Sequence, residues 1–177
     1  MDYYPLFLDL KGKQVLVVGG GPIALEKIVN LLKAGACITV VAEQILPQIR
    51  RFSRRIRFFE RAFELADITP DYTLVFGATG DHGLNQTISR FCAQERILCN
   101  AVDDPANCHF IVPAIVRRGR LTVAVSTAGV SPLLAKSTKE KLKNVFGRDY
   151  TVLTRFMADF RKQVFTRIFT QKARFLF

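Results

Sequence analysis

Residues Gln14–Ala24 read QVLVVGGGPIA, and this stretch decides the fold. The run QVLVV, rich in β-branched side chains, predicts a short buried strand. Three glycines and a proline end it. An apolar period follows from Ile23 to Ala34, with Ala24, Ile28, Leu31 and Leu32 on one face of a helix. Gly35 then stands where a helix C-cap belongs. Gly19, Gly21 and Ala24 match the spacing G-x-G-x-x-A, and the strand–turn–helix context is what gives that spacing meaning. Gly19 would make the tight turn, Gly21 would let the backbone approach a pyrophosphate, and Ala24 would keep helix and strand close. The amides and dipole at the helix start favour an anion. Pro22 has no amide to give, so on its own chemistry it opens the helix.

Four more strands are predicted at Cys37–Val41, Ile56–Glu60, Tyr72–Gly77 and Ile97–Val102, with helices over Ile45–Arg54 and Gly83–Gln94. Strands alternating with helices predict an α/β fold, a Rossmann-like doubly wound parallel sheet. The pattern changes after Asp104-Pro105. Phe110–Val116 and Arg120–Ser126 predict a hairpin around Arg117-Arg118-Gly119. Ser131-Pro132 supplies an N-cap and a first-turn proline for a helix to about Phe146. A last amphipathic stretch runs from Val152 to Phe169, with Val152, Phe156, Phe160, Val164 and Ile168 in register. The reading is a dinucleotide-binding domain over residues 1–112 and a β-hairpin-plus-helix module over 113–177.

Charge divides the chain the same way. Residues 1–114 hold 12 Lys and Arg against 12 Asp and Glu, whereas 115–177 hold 14 against 3 and carry the whole net charge of +11. A neutral half joined to a basic half points to a polyanionic partner for the second half, or to a merely solubilising surface. No run reaches the ~18 apolar residues of a membrane span, and the N-terminus lacks a basic stretch followed by an apolar block. A cytoplasmic protein is expected. Four cysteines, none in a C-x-x-C pair, suit reduced structural thiols, with Cys37 and Cys99 expected to be buried. No metal site is expected, since neither His82 nor His109 has a ligand cluster in the sequence.

Glu43 is the acid that follows the second strand, about 20 residues past the glycines, where a carboxylate holds ribose hydroxyls. No Lys or Arg occurs from Ala34 to Leu46, so NAD is favoured over NADP. A solvated turn is the plainer reading of Glu43. Thr79, after the fourth strand, offers a hydroxyl on the ligand side of the sheet, and Asp81 either lines that side or caps the next helix. Asp103 and Asp104 follow the fifth strand. Asp103 suits an acid/base role and Asp104, before proline, suits the turn, although Asp103 too can be read as a turn residue. Ser126, Thr127, Gly129 and Ser131 form a small hydroxyl-rich loop leading into a helix, with Lys136 just beyond, which reads as an anion site or as an ordinary helix cap.

The ordered set resembles the N-terminal module of siroheme synthase, the precorrin-2 dehydrogenase family. Tyr4-Pro5-Leu6-Phe7 with Leu10, Val17-Val18-Gly19-Gly20-Gly21 with Ala24 and Lys27, and Ala78-Thr79 with Asn85 each match a stretch of that family. So do Asn100-Ala101-Val102-Asp103, Phe110-Ile111-Val112-Pro113-Ala114 and Ala124–Gly129 with Ser131-Pro132. The resemblance implies oxidation of precorrin-2 to sirohydrochlorin with NAD⁺; some members also insert Fe²⁺. It implies that Asp103 is the catalytic aspartate and that Pro22, Ile23, Glu43 and Gln44 line the NAD site. It also implies a homodimer built largely from the second module, and a tetrapyrrole substrate whose eight carboxylates suit the basic half. Thr127 and Gly80 depart from the usual residues, and the second module is short for the family with a Phe-rich end. Two other readings compete. One is an NAD-sensing regulatory module, which would need no acid near the nicotinamide. The other is a protein binding anionic lipid or nucleic acid through the basic, Phe-containing tail.

Overall fold

The computed structural model describes residues 3–102, 104 and 107–167. Two compact units divide the chain, Met1–Ile111 and Val112–Phe177. The first is a five-stranded parallel sheet of order β3-β2-β1-β4-β5. Its strands are β1 (Gln14–Val18), β2 (Cys37–Ala42), β3 (Ile56–Glu60), β4 (Tyr72–Gly77) and β5 (Leu98–Ala101). Three helices accompany them: α1 (Pro22–Lys33), α2 (Pro47–Arg50) and α3 (His82–Gln94). This strand order is that of a Rossmann-like doubly wound sheet, as the sequence predicts.

Burial explains why these runs are strands. Val15 and Val17 point to one face, where Ala24, Ile28, Leu31 and Leu32 of α1 cover them. Leu16 and Val18 point to the other, against Ile88 and Cys92 of α3. A two-residue alternation with both faces apolar is what a covered parallel sheet requires. Each of these four β1 residues is at most 1% exposed. Replacing one by a polar residue would strip a contact from the centre of the sheet.

Three expectations are corrected. The predicted helix Ile45–Arg54 is only the four-residue α2. Ile49 and Ile45 are buried, but the chain leaves the helix through turns that bond Arg55 and Ile56 back to Phe52, in time for β3 to start at Ile56. The predicted strand Phe110–Val116 begins only at Ala114. Phe110 packs edge-on against Phe76, and its carbonyl accepts a 2.9 Å bond from Asn100 Nδ2, so it belongs to the first unit. Cys37, expected to be buried, is exposed at the start of β2. Cys92 and Cys99 are buried side by side, and their mutual contact and burial push the Cys99 thiol up, so it stays protonated and inert.

The second unit pairs β6 (Ala114–Arg118) with β7 (Leu121–Val125) as an antiparallel hairpin and adds helices α4 (Pro132–Val145) and α5 (Asp149–Arg167). Ser131 caps α4, its Oγ accepting from Leu134 N at 3.2 Å, with Pro132 in the first turn. Arg118 reaches the other end: Nε donates to Phe146 O at 2.8 Å and the guanidinium also donates to Lys143 O. One of the basic residues is therefore spent on orphan carbonyls of α4. Along α5, Val152 and Phe156 are 71% and 61% exposed while Val164 is buried. Ile168 and the aromatics beyond it lie outside the described residues. No described helix is long and apolar enough to cross a membrane.

Candidate cofactor cleft

The carboxyl ends of β1, β2 and β4 enclose a cleft of about 740 Å³ in the first unit. Such a crevice, where the strand order reverses, is where open α/β sheets take ligands. Gly19, Gly21, Pro22, Ile23, Glu43, Gln44 and Thr79 all line it. Ala24 does not. It is fully buried on the inner face of α1, where its small side chain lets helix and strand approach.

The glycine turn is clamped from both sides. Gly19 N donates to Val41 O at 2.9 Å, and Leu46 N donates to Gly20 O at 3.0 Å. A Cβ on Gly19, whose φ is +121°, would stand 2.2 Å from Ala78 O. A Cβ on Gly20 would stand 2.1 Å from Gln44 O. Gly20, left as the free position in the spacing, is thus as tightly enclosed as Gly19. Gly21 is different: nothing lies within 4 Å of its Cβ position. It is the N-cap of α1 and makes no side-chain cap, and the first turn of α1 holds no acid. The orphan amides and dipole of α1 therefore open beside vacant volume in the cleft, the chemistry a pyrophosphate needs.

Across the cleft, Thr79 and Asn85 hold one another. Thr79 Oγ1 donates to Asn85 Oδ1 at 2.7 Å, and Asn85 Nδ2 donates to Thr79 O at 3.1 Å. Asn85 is 3% exposed, so the Thr79 hydroxyl's proton serves the loop. Asp81 is the N-cap of α3, accepting from Leu84 N at 3.0 Å. Glu43 is exposed just past β2, and Phe63, which the sequence did not mark, forms part of the lining.

His82 also lines the cleft, and its Nε2 lies 3.6 Å from Asp104 Oδ2. Asp104 is buried. Its carboxylate accepts from Asn107 Nδ2 at 2.7 Å, and that bond, with help from Gln86 and His82, holds it below the usual carboxylate range. His109 does not line the cleft. Its Nδ1 sits 3.1 Å from Cys99 N and from Ile97 O. Asp103 lies outside the described residues. No group of three metal-ligating side chains occurs among the described residues.

In the second unit, the hydroxyls of the Ser126–Ser131 loop bond within it. Thr127 Oγ1 donates to Ser131 O, and Ser126 Oγ accepts from Ala128 N, both at 3.0 Å. With Ser131 Oγ on Leu134 N, the three hydroxyls act first as loop and cap supports. Gly129, at φ +86°, and Lys136 are exposed.

The NAD_binding_7 family of NAD(P)-binding domains matches residues 6–114. The solved structure of SirC, a precorrin-2 dehydrogenase, superposes with a TM-score of 0.78 at 34% identity, covering 97% of this chain and 85% of that one. The chain belongs to the precorrin-2 dehydrogenase family. Siroheme synthase of Thioalkalivibrio sulfidiphilus is 39% identical over 170 residues, which is 95% of this chain and 35% of that protein. Siroheme synthase of Actinobacillus pleuropneumoniae serotype 3 is 36% identical over 179 residues, 99% of this chain and 37% of that protein. The chain spans little more than a third of the siroheme synthases it matches. As a precorrin-2 dehydrogenase family member it carries Asn85 in the position the sequence resemblance marked. The structure adds why: Asn85 ties down the loop after β4.

Proposed function

We propose that the chain oxidises precorrin-2 to sirohydrochlorin with NAD⁺, a step of siroheme biosynthesis. What carries this is the cleft itself, a glycine turn with open space at Gly21 in a chain that matches a precorrin-2 dehydrogenase over 85% of its length. NAD⁺ supplies a hydride acceptor when bound. Gly19 and Gly20 hold the turn, and the amides of α1 take the pyrophosphate at Gly21. Pro22, Ile23 and Gln44 wall the cofactor, and Glu43 takes the ribose hydroxyls. Asp103, directly after the cleft residue Val102, is assigned to the reacting end. The exposed cations of the second unit, among them Arg117, Arg120, Lys136 and Lys141, pair with substrate carboxylates, and Ser126, Thr127, Gly129 and Ser131 form the loop before them. NADH formation from precorrin-2 and NAD⁺ by the purified protein tests the proposal, and a protein that binds NAD⁺ without turnover refutes it.

The cofactor preference is a separate expectation. Glu43 repels a 2′-phosphate, so NAD⁺ should bind at least about tenfold more tightly than NADP⁺. Titration of the two cofactors decides it, and tighter NADP⁺ binding overturns the role given to Glu43.

The protein acts in the cytoplasm as a homodimer, joined through the second unit. Val145 of α4 and Val152 and Phe156 of α5 are exposed apolar side chains that a second copy would cover. Sedimentation at micromolar concentration should give twice the chain mass of 20.0 kDa, and Phe156→Glu should shift the equilibrium toward monomer. A wild-type monomer refutes the dimer.

A further inference from the structure

We propose that Phe63 is the platform on which the adenine of the cofactor stacks, presented by a loop that the Arg61–Asp67 ion pair closes. The order of the strands says where the base lies. The glycine turn follows β1, Glu43 follows its neighbour β2, and Ala62 and Phe63 follow β3, the next strand out. All of these residues line the one cleft. Neighbouring strands stand about 4.8 Å apart, so β3 runs roughly 10 Å from β1, within the reach of a nucleoside. With the pyrophosphate at Gly21 and the ribose on Glu43, as in the cofactor reading on which this rests, the base arrives at the loop after β3. The opposite direction, past Thr79, leads to the end of β4 and is left for the nicotinamide.

Phe63 suits a base at that point. It is half-buried, packing against the core cluster that holds Val41 and Ile68 while forming part of the cleft wall. Leu65, the other large apolar residue of the loop, is exposed and is no part of that wall. Among the described residues no ring or cation stacks on Phe63, whereas Phe59 of β3 has the Arg61 guanidinium 5.7 Å from its centroid. An aromatic wall takes the flat face of a purine and leaves the polar edge free. The loop is tied before any ligand arrives. Arg61 grips Asp67 through both terminal nitrogens, Nη1 donating to Oδ2 at 2.9 Å and Nη2 to Oδ1, and Nη1 also donates to Ala62 O at 2.9 Å. Asp67 Oδ2 accepts from Glu64 N at 3.0 Å, and Asp67 N donates to Glu64 O at 2.9 Å. The guanidinium holds the Asp67 carboxyl below its usual range, so the pair stays ionised and the loop stays closed. A platform fixed in advance loses little freedom when the base settles on it.

ADP-ribose carries the adenosine half of the cofactor without the nicotinamide, so calorimetric titration with it reads this contact without turnover. Phe63→Leu keeps an apolar side chain against the core and removes the ring. It should bind ADP-ribose and NAD⁺ about tenfold or more weakly than wild type, with Tm close to wild type. Phe63→Tyr keeps the ring and should bind both within about twofold of wild type. In the wild-type complex, adenine H2 or H8 should show an NOE to an aromatic ring, and that NOE should vanish in Phe63→Leu. Asp67→Asn, which breaks the ion pair, should weaken ADP-ribose by about two- to fivefold, the scale of an exposed pair. Wild-type affinity in Phe63→Leu, or equal losses in Phe63→Leu and Phe63→Tyr, overturns the platform. Wild-type affinity in Asp67→Asn overturns the part given to the ion pair. A wild type that binds neither NAD⁺ nor ADP-ribose would instead refute the cofactor reading, whereas equal binding by wild type and Phe63→Leu leaves that reading standing and refutes this one alone.

Discussion

Asp103→Ala is expected to lower kcat for NADH formation by about 10²-fold or more, with NAD⁺ affinity and thermal stability close to wild type. Asp103 follows Val102, a residue of the cleft, and precedes Asp104, which is fixed beside His82. In the proposed reaction Asp103 orients the reacting groups, and small misplacements of such groups cost about 10²-fold. The neighbouring acid gives the control, though not the neutral one its place before a proline predicts. Asp104 is buried and bonded to Asn107, so Asp104→Asn keeps the shape and a donor–acceptor pair while removing the charge near His82. It should cost less than Asp103→Ala. Steady-state rates of the purified variants, with NAD⁺ binding measured separately, separate the two. If Asp103→Ala kept a near-normal kcat and Asp104→Asn lost it, the roles of the two acids would be reversed. Cationic substitutions in the second unit, such as Lys136→Ala, should raise KM before they change kcat.

The parts of this molecule that were legible in the sequence are those set by local periodicity. β1, β3 and β4 have the bounds read from QVLVV, IRFFE and YTLVFG, because a strand covered on both faces must be a short apolar run. The helix over Ile45–Arg54 was not legible, because Ile45, Ile49 and Phe52 have helical spacing whether one turn forms or three. What ends α2 is the need to bring Ile56 into register with Ile38, and that pairing is not local. The start of β6 was hidden for the same reason, since Phe110 is held by Asn100 and Phe76 in the first unit. In the site, the strand–turn–helix order exposed Gly19, Gly21 and Glu43. The constraint on Gly20 comes from Gln44, and the pairing of His82 comes from Asp104. Both partners are far along the chain, so no window of sequence holds the pair.

Gly20→Ala should therefore do more damage than Gly21→Ala, although only Gly21 belongs to the recognisable spacing. At position 20 the new methyl would stand 2.1 Å from Gln44 O and 2.9 Å from Ile45 Cα, both backbone atoms. Neither can turn aside as a side chain would. Gly20 O is also the acceptor for Leu46 N, so a shift of either segment breaks the 3.0 Å bond that joins the glycine turn to the end of β2. Forcing an extra methyl into a packed contact costs about 1–3 kcal/mol, and a clash with backbone belongs at the upper end. For a chain of this length that corresponds to a fall in Tm of about 4–10 °C. NAD⁺ binding should fail with it, because Glu43 and Gln44 move with the displaced loop. At position 21 the methyl meets nothing within 4 Å, and the backbone there, at φ −88° and ψ −169°, is open to any residue. The fold should tolerate Gly21→Ala within about 0.5 kcal/mol. Its methyl would instead occupy the space assigned to the pyrophosphate, so NAD⁺ affinity should drop by about tenfold or more at an unchanged Tm. Thermal unfolding and NAD⁺ titration of the two variants, run side by side, read the two effects separately. If Gly21→Ala bound NAD⁺ as tightly as wild type, the open volume at the start of α1 would not be the phosphate cradle. If Gly20→Ala unfolded at the wild-type temperature, the turn would have room that this backbone does not provide.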